Sequence, residues 1–201
     1  MKNSIGITAV FVVGIFLGKM KFLPASLLEN DYTLYALYFL LFFIGVVLGS
    51  NKKALSIIKK LNWRIIIVPA GTIIGTFIGI LIVSLFINKL ELKELMAVGA
   101  GFGYYSLSSV FISKLHGSFL GTIALVSNLL REIITLLFTP LFVKIFGNLS
   151  SIMSGGATSM DSTLPVIVKY SGKDYGVIAI FNGLVLTILV PLLVNFILKV
   201  L

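Results

Sequence analysis

Apolar residues run through this chain in long stretches, and the polar clusters between them are spaced as the ends of membrane helices are. Apolar runs cover about residues 4–20, 32–50, 65–87, 118–146 and 175–198, most of them long enough to cross a hydrocarbon core of about 30 Å. The run at 65–87 measures about 35 Å as a helix and crosses with some tilt. Two segments break this pattern. From Met96 the sequence VGAGFGYYSLSSVFI sets Gly99, Gly101 and Gly103 at alternate positions, ahead of Tyr104, Tyr105, Ser106, Ser108 and Ser109. Glycines at that period do not suit a regular helix, so an interruption or a re-entrant segment lining a cavity is expected there. The second break, SGGATSMDSTLP at 154–165, joins Gly155 and Gly156 to a cluster of Ser, Thr and Asp, and Pro165 makes a helix begin or end beside it. The expectation is an all-α, polytopic membrane protein with about five to seven membrane segments, two of them interrupted or re-entrant, forming a single domain over 1–201.

Glycines at helical spacing mark close packing of backbones: Gly14 with Gly18, Gly45 with Gly49, and Gly71 with Gly75 and Gly79. Composition supports the membrane reading. The chain is 58% hydrophobic and 11% charged, against about 25% charged in soluble domains. The net charge of +9 resides between the apolar runs rather than on one polar face, which suits anionic lipid headgroups and argues against nucleic acid. No cysteine is present, so disulfides and thiolate metal sites are excluded, and the lone His116 makes no metal cluster. No cofactor is expected, nor an enzyme: the chain has no phosphate loop and no nucleophile–base grouping of plausible spacing. The segment NKKALSIIKKLNWR carries Lys52, Lys53, Lys59, Lys60 and Arg64 without an acid, which places it in the cytoplasm; the loop with Lys89, Glu91, Lys93 and Glu94 then lies outside.

The candidate chemistry follows from polar groups at membrane depth. Asp161, inside the second break, would cost roughly 2.5 to 3.5 kcal/mol on the insertion scale, a penalty that points to function. A helix N-cap at a wet turn, helped by Ser162 and Thr163, is the structural alternative. In the 118–146 run, Asn128, Glu132, Thr135 and Thr139 fall on one helical stripe, with Ser127 and Arg131 beside it. Arg131 and Glu132 read either as part of a site or as a structural ion pair, and Pro140 is expected to kink the helix end. Asn182 in the last run needs an internal partner. The site expected for substrate binding or proton coupling comprises Asp161, Glu132, Arg131, Asn128, Ser159, Thr158, Ser106 and Asn182, with Gly101, Gly103, Gly155 and Gly156 interrupting the backbone. Paired broken helices of this kind point to a transporter site. A cation channel lined by the Asn128 stripe and a non-transporting assembly subunit are the competing readings.

The strings GFGYYSLSS (Gly101–Ser109), LGTIALVSNLLREI (Leu120–Ile133) and SGGATSMDSTLPVI (Ser154–Ile167), in that order, resemble the bacterial lysine exporter LysO family. The resemblance spans essentially the whole chain. It implies a multi-pass protein of the cytoplasmic (inner) membrane that exports L-lysine and analogues such as thialysine, by exchange for protons. It also implies that Asp161 is a transport aspartate. Longer members carry a further N-terminal membrane segment with its own acidic site. By that comparison this chain matches the larger, C-terminal polypeptide of a split or shortened member, completed by a small membrane subunit or by homo-oligomerisation.

Overall fold

The computed structural model describes residues 63–200 apart from residue 88, together with isolated positions between 13 and 46. The chain divides into two compact units, Met1–Phe43 and Ile44–Leu201. In the first, the described positions Val13, Phe16, Leu17, Tyr35, Phe39 and Phe42 are helical. The runs expected at 4–20 and 32–50, most of the basic loop and the pairs Gly14/Gly18 and Gly45/Gly49 lie outside the described residues.

The described residues of the second unit form helices joined by short turns, with no strand among them. A 3-10 turn, Trp63–Ile66, leads into α1, Ile67–Ser84. Then come α2, Leu92–Gly99, and α3, Tyr105–His116, followed by the long α4, Ser118–Phe146. The same sequence of lengths repeats: α5, Asn148–Gly155, a 3-10 turn Gly156–Met160, α6, Leu164–Ser171, and the long α7, Lys173–Val200. α1 and α7 are long and apolar enough to cross a membrane. The expected interruptions fall where the glycines predict: α2 ends at Gly99 and α5 at Gly155.

Local chemistry sets these boundaries. α2 opens with a reciprocal capping box between Glu91 and Glu94, which satisfies two backbone donors that the first turn leaves free. α6 opens with Pro165 in its first turn, where the missing N–H costs nothing. α4 continues past Pro140 to Phe146.

Each pair of short helices is a hairpin. Glu94 near the start of α2 meets His116 at the end of α3, 2.8 Å apart. Ser151 near the start of α5 meets Ser171 at the end of α6, also at 2.8 Å, and Ser171 Oγ donates to the Asn148 carbonyl at 3.1 Å. Each chain segment therefore returns to the end from which it set out. α4 separates the two hairpin bases by its whole length, about 43 Å at 1.5 Å per residue. The tips nevertheless touch: the Ala157 N–H donates to the Phe102 carbonyl at 2.9 Å. Packing supports the contact, since buried Val68, Ile152, Ile167 and Ala179 join α1, α5, α6 and α7 in one apolar cluster. The Phe102 ring is fully buried and stands edge-on to Phe77 of α1, with centroids 6.1 Å apart.

Candidate functional site

The meeting point of the two tips is the most polar part of the described interior. Breaking a helix leaves backbone N–H and C=O groups without partners, and at depth these must be satisfied by protein. Two asparagines do this. Asn128 of α4 donates through Nδ2 to the carbonyls of Val98 (3.0 Å) and Ala124 (2.9 Å), while its Oδ1 accepts the Gly103 N–H at 2.7 Å. Asn182 of α7, fully buried, donates through Nδ2 to the Gly156 carbonyl (3.0 Å), to Ser159 Oγ (3.2 Å) and, at 3.5 Å, to the Ile152 carbonyl. Its Oδ1 accepts from Thr72 Oγ1 of α1 at 3.4 Å. Ser159 Oγ bonds the carbonyls of Gly156 and Ala179, and Thr158 Oγ1 bonds that of Gly155. These four side chains, expected to face a ligand, spend their hydrogen bonds on holding the tips.

The tip backbones are unusual. Gly103 and Gly156 have φ of 92° and 61°, in the left-handed region that L side chains resist. A Cβ on Gly156 would collide with the Phe102 carbonyl oxygen. Phe102 itself adopts a φ of 46°, uncommon for a residue with a side chain and a sign of local strain. Gly101 abuts Asn128 and Ser108, and Gly155 abuts Thr163.

Arg131 does not pair with Glu132. Its Nε and one terminal nitrogen donate to the carbonyls of Ser154 and Met153, each at 2.9 Å, and its other terminal nitrogen donates to Thr76 Oγ1 at 3.1 Å. It thus closes the C-terminal end of α5, where free carbonyls and the helix dipole both favour a cation. Glu132 points to the other side. It is 8% exposed, and its Oε2 and Thr187 Oγ1 are the buried side-chain polar atoms left without a hydrogen-bond partner among the described residues. Thr135 and Thr139 complete a buried stripe with Asn128 and Glu132, as the periodicity predicted.

Asp161 lies on the exposed turn between the second 3-10 segment and α6, where its carboxylate accepts from the N–H (2.6 Å) and hydroxyl (3.3 Å) of Ser162. It is near enough to the Tyr104 phenol of the first tip to act on it electrostatically. The N-cap of α6 is Thr163 rather than Asp161. Ser106 is exposed just past the first tip. On another side of the crossing a cavity of about 490 Å³ opens between α1 and α4, with Arg131, Thr76, Ser127 and Ser154 in its wall. Gly75 and Gly79 face open space, while Gly71 packs against Met153. A second cavity of about 360 Å³ shares Thr76, Ser127 and Arg131 and adds Asn128. Neither wall includes Asp161 or Glu132, so the expected set divides between a tip turn, a buried stripe and a cavity wall. Sequence reasoning missed Thr72, Thr76 and the hairpin-base ties, because single Thr, Ser and His residues carry no periodic signal.

A family profile described as "Lysine exporter LysO" matches residues 8–198. The chain is 34% identical over 196 residues to the lysine exporter LysO of Escherichia coli (strain K12), a match covering 96% of this chain and 64% of that relative. It is 36% identical over 167 residues to a Haemophilus influenzae protein also named for lysine export, covering 83% of this chain and 84% of the relative. The chain thus matches just under two thirds of the length of the Escherichia coli protein. No solved structure matches.

Proposed function

Because the chain belongs to the lysine exporter LysO family, we propose that it exports L-lysine, and analogues such as thialysine, across the cytoplasmic (inner) membrane in exchange for protons. The observation that carries this reading is a carboxylate, Asp161, on the turn of a broken helix in a chain of that family. A proton and an ammonium group compete for the same carboxylate, because each neutralises the charge that attracts the other. One group that holds either a proton or the lysine side chain, but not both well, couples the two flows. Glu132, buried with an unpartnered oxygen, is a second acid, in the interior. Arg131 lines both cavities and offers its remaining N–H groups to the substrate carboxylate. Asn128, Asn182, Thr158 and Ser159 shape the site by holding the tips, and Ser106 lies beside its exposed side.

In this reading the protein is multi-pass, and the hairpins α2–α3 and α5–α6 are re-entrant. Helices of 8 and 12 residues reach about 12 to 18 Å, short of a core about 30 Å thick. The portion of the Escherichia coli relative beyond this match is supplied by a small membrane subunit or its role by a second copy of the chain. The test is labelled lysine exchange in proteoliposomes under an imposed pH gradient, with and without the candidate subunit. Coupled exchange is expected for the native chain with its partner and absent for Asp161→Asn that inserts normally. Exchange at the native rate by that variant overturns the assignment of Asp161.

A further inference from the structure

Two ties of the first hairpin have counterparts in the second, the long-range asparagine bond and the base tie. Asn128 reaches back 30 residues to the Val98 carbonyl, and Asn182 reaches back 30 residues to the Ile152 carbonyl. The interval that carries Asn128 to Asn182 also carries Val98 to Ile152 and Glu94 to Asn148. One residue more carries His116 to Ser171 and Gly117 to Gly172. These are the same structural points: the start of a hairpin, the last turn before its tip, its base tie, and the left-handed glycine ahead of a long helix, with φ of 91° and 103°. The element lengths agree as well, 8, 12 and 29 residues in the first copy and 8, 8 and 28 in the second. The shorter α6 is offset by the extra 3-10 turn at the second tip.

Direction follows from α4. The first hairpin's base adjoins the start of this helix and the second adjoins its end. A helix of about 43 Å exceeds the thickness of a hydrocarbon core of about 30 Å. In the multi-pass reading proposed above α4 crosses the membrane, which sets the bases on opposite faces, while the tips meet through the Ala157–Phe102 hydrogen bond.

We propose that residues 92–146 and 148–200 are two copies of one unit inserted in opposite directions, in which Asn128 and Asn182 are equivalent positioning residues, each fixing one tip to the long helix behind it and governing access from one face. Asn128 holds its tip from both sides, donating to the Val98 carbonyl and accepting the Gly103 N–H, while Asn182 donates to the second tip and ties it through Thr72 to α1. Both N–H donors of each side chain are taken up within the protein. Each hairpin and its helix then move as one body, and the tip junction is where the two bodies part. Loosening one latch favours the conformation open to its own face; loosening the other favours the opposite conformation.

The access half of this proposal rests on the lysine-export reading, whereas the repeat does not, so two measurements separate them. The native chain has no cysteine, so Ser118→Cys and Lys173→Cys report the two hairpin bases cleanly. With a membrane-impermeant maleimide on sealed vesicles of known orientation, the two positions are expected to label from opposite faces. Labelling of both from the same face overturns the repeat whether or not the protein transports lysine. In the second measurement, Asn128→Ser and Asn182→Ser are compared in oriented proteoliposomes containing any required partner. The ratio of lysine half-saturation concentrations on the two faces is expected to shift in opposite directions, each by up to about tenfold, the effect of losing one buried hydrogen bond. Shifts in the same direction, or an unchanged ratio, overturn the positioning role, since a merely structural defect weakens both faces alike. No lysine flux from the native protein would overturn the access role and the proposed function together, leaving the labelling to decide the repeat.

Discussion

The hairpins α2–α3 and α5–α6 share a frame and differ in chemistry. Both end in a glycine-bearing tip, both are latched by an asparagine, and both close at the base through a side-chain pair. Only the second carries an acid at its tip, Asp161, and only its α5 has an arginine closing its end. α4 holds Arg131 and Glu132, whereas the positions at the same interval in α7 are Val185 and Leu186. What recurs between the halves is the apparatus that holds a broken helix together. What does not recur is charge: Asp161, Arg131 and Glu132 have no charged counterpart at the same interval.

The largest expected effect tests that asymmetry at the tips. Asp161→Asn should lower proton-coupled lysine exchange by about 100-fold or more, in the range of losing a proton-transfer group. Ser106→Ala, just past the other tip, should leave the exchange within about twofold. Next come the tip glycines. Gly156→Ala meets the Phe102 carbonyl and should lower stability by about 2 to 3 kcal/mol, read as a fall in the thermal midpoint in detergent. Gly103→Ala, whose nearest neighbour is the Gly155 carbonyl at 3.1 Å, should cost about 1 to 2 kcal/mol; an equal loss for both would mean that the tips are packed alike. Arg131→Lys keeps the charge but cannot span Met153, Ser154 and Thr76 with one planar group, and should cost about 1.5 kcal/mol in the same assay. The base ties come last. Ser171→Ala should cost about 1 kcal/mol. His116→Gln should cost about 0.5 kcal/mol at most, an effect that salt removes if the histidine is charged.

The sequence made the breaks legible because glycine is the residue through which a helix can stop and turn, and three glycines near 101 and two near 155 have few other uses in an apolar run. The stripe of Asn128, Glu132, Thr135 and Thr139 was equally plain, since 3.6 residues per turn puts them on one buried face. The roles of those side chains were not legible. Asn128 and Asn182 bond main-chain groups 25 to 30 residues away, and a carbonyl has no sequence signature. Arg131 and Glu132 look like an ion pair because they are adjacent, yet neighbours in a helix project about 100° apart, so one serves α5 and the other the buried stripe. The two breaks are visible in the sequence as a pair, but their similarity is weak there, because the copies share element lengths and a few anchoring residues while the apolar positions between them change freely.

Phe102 gives the tip junction a further property. A side-chain-bearing residue held at a φ of 46° stores about 1 to 3 kcal/mol, while the Ala157–Phe102 hydrogen bond returns about 1 kcal/mol. The two are of similar size and opposite sign. The joint between the halves is therefore a tense spring held by a weak catch, and the same residue supplies both.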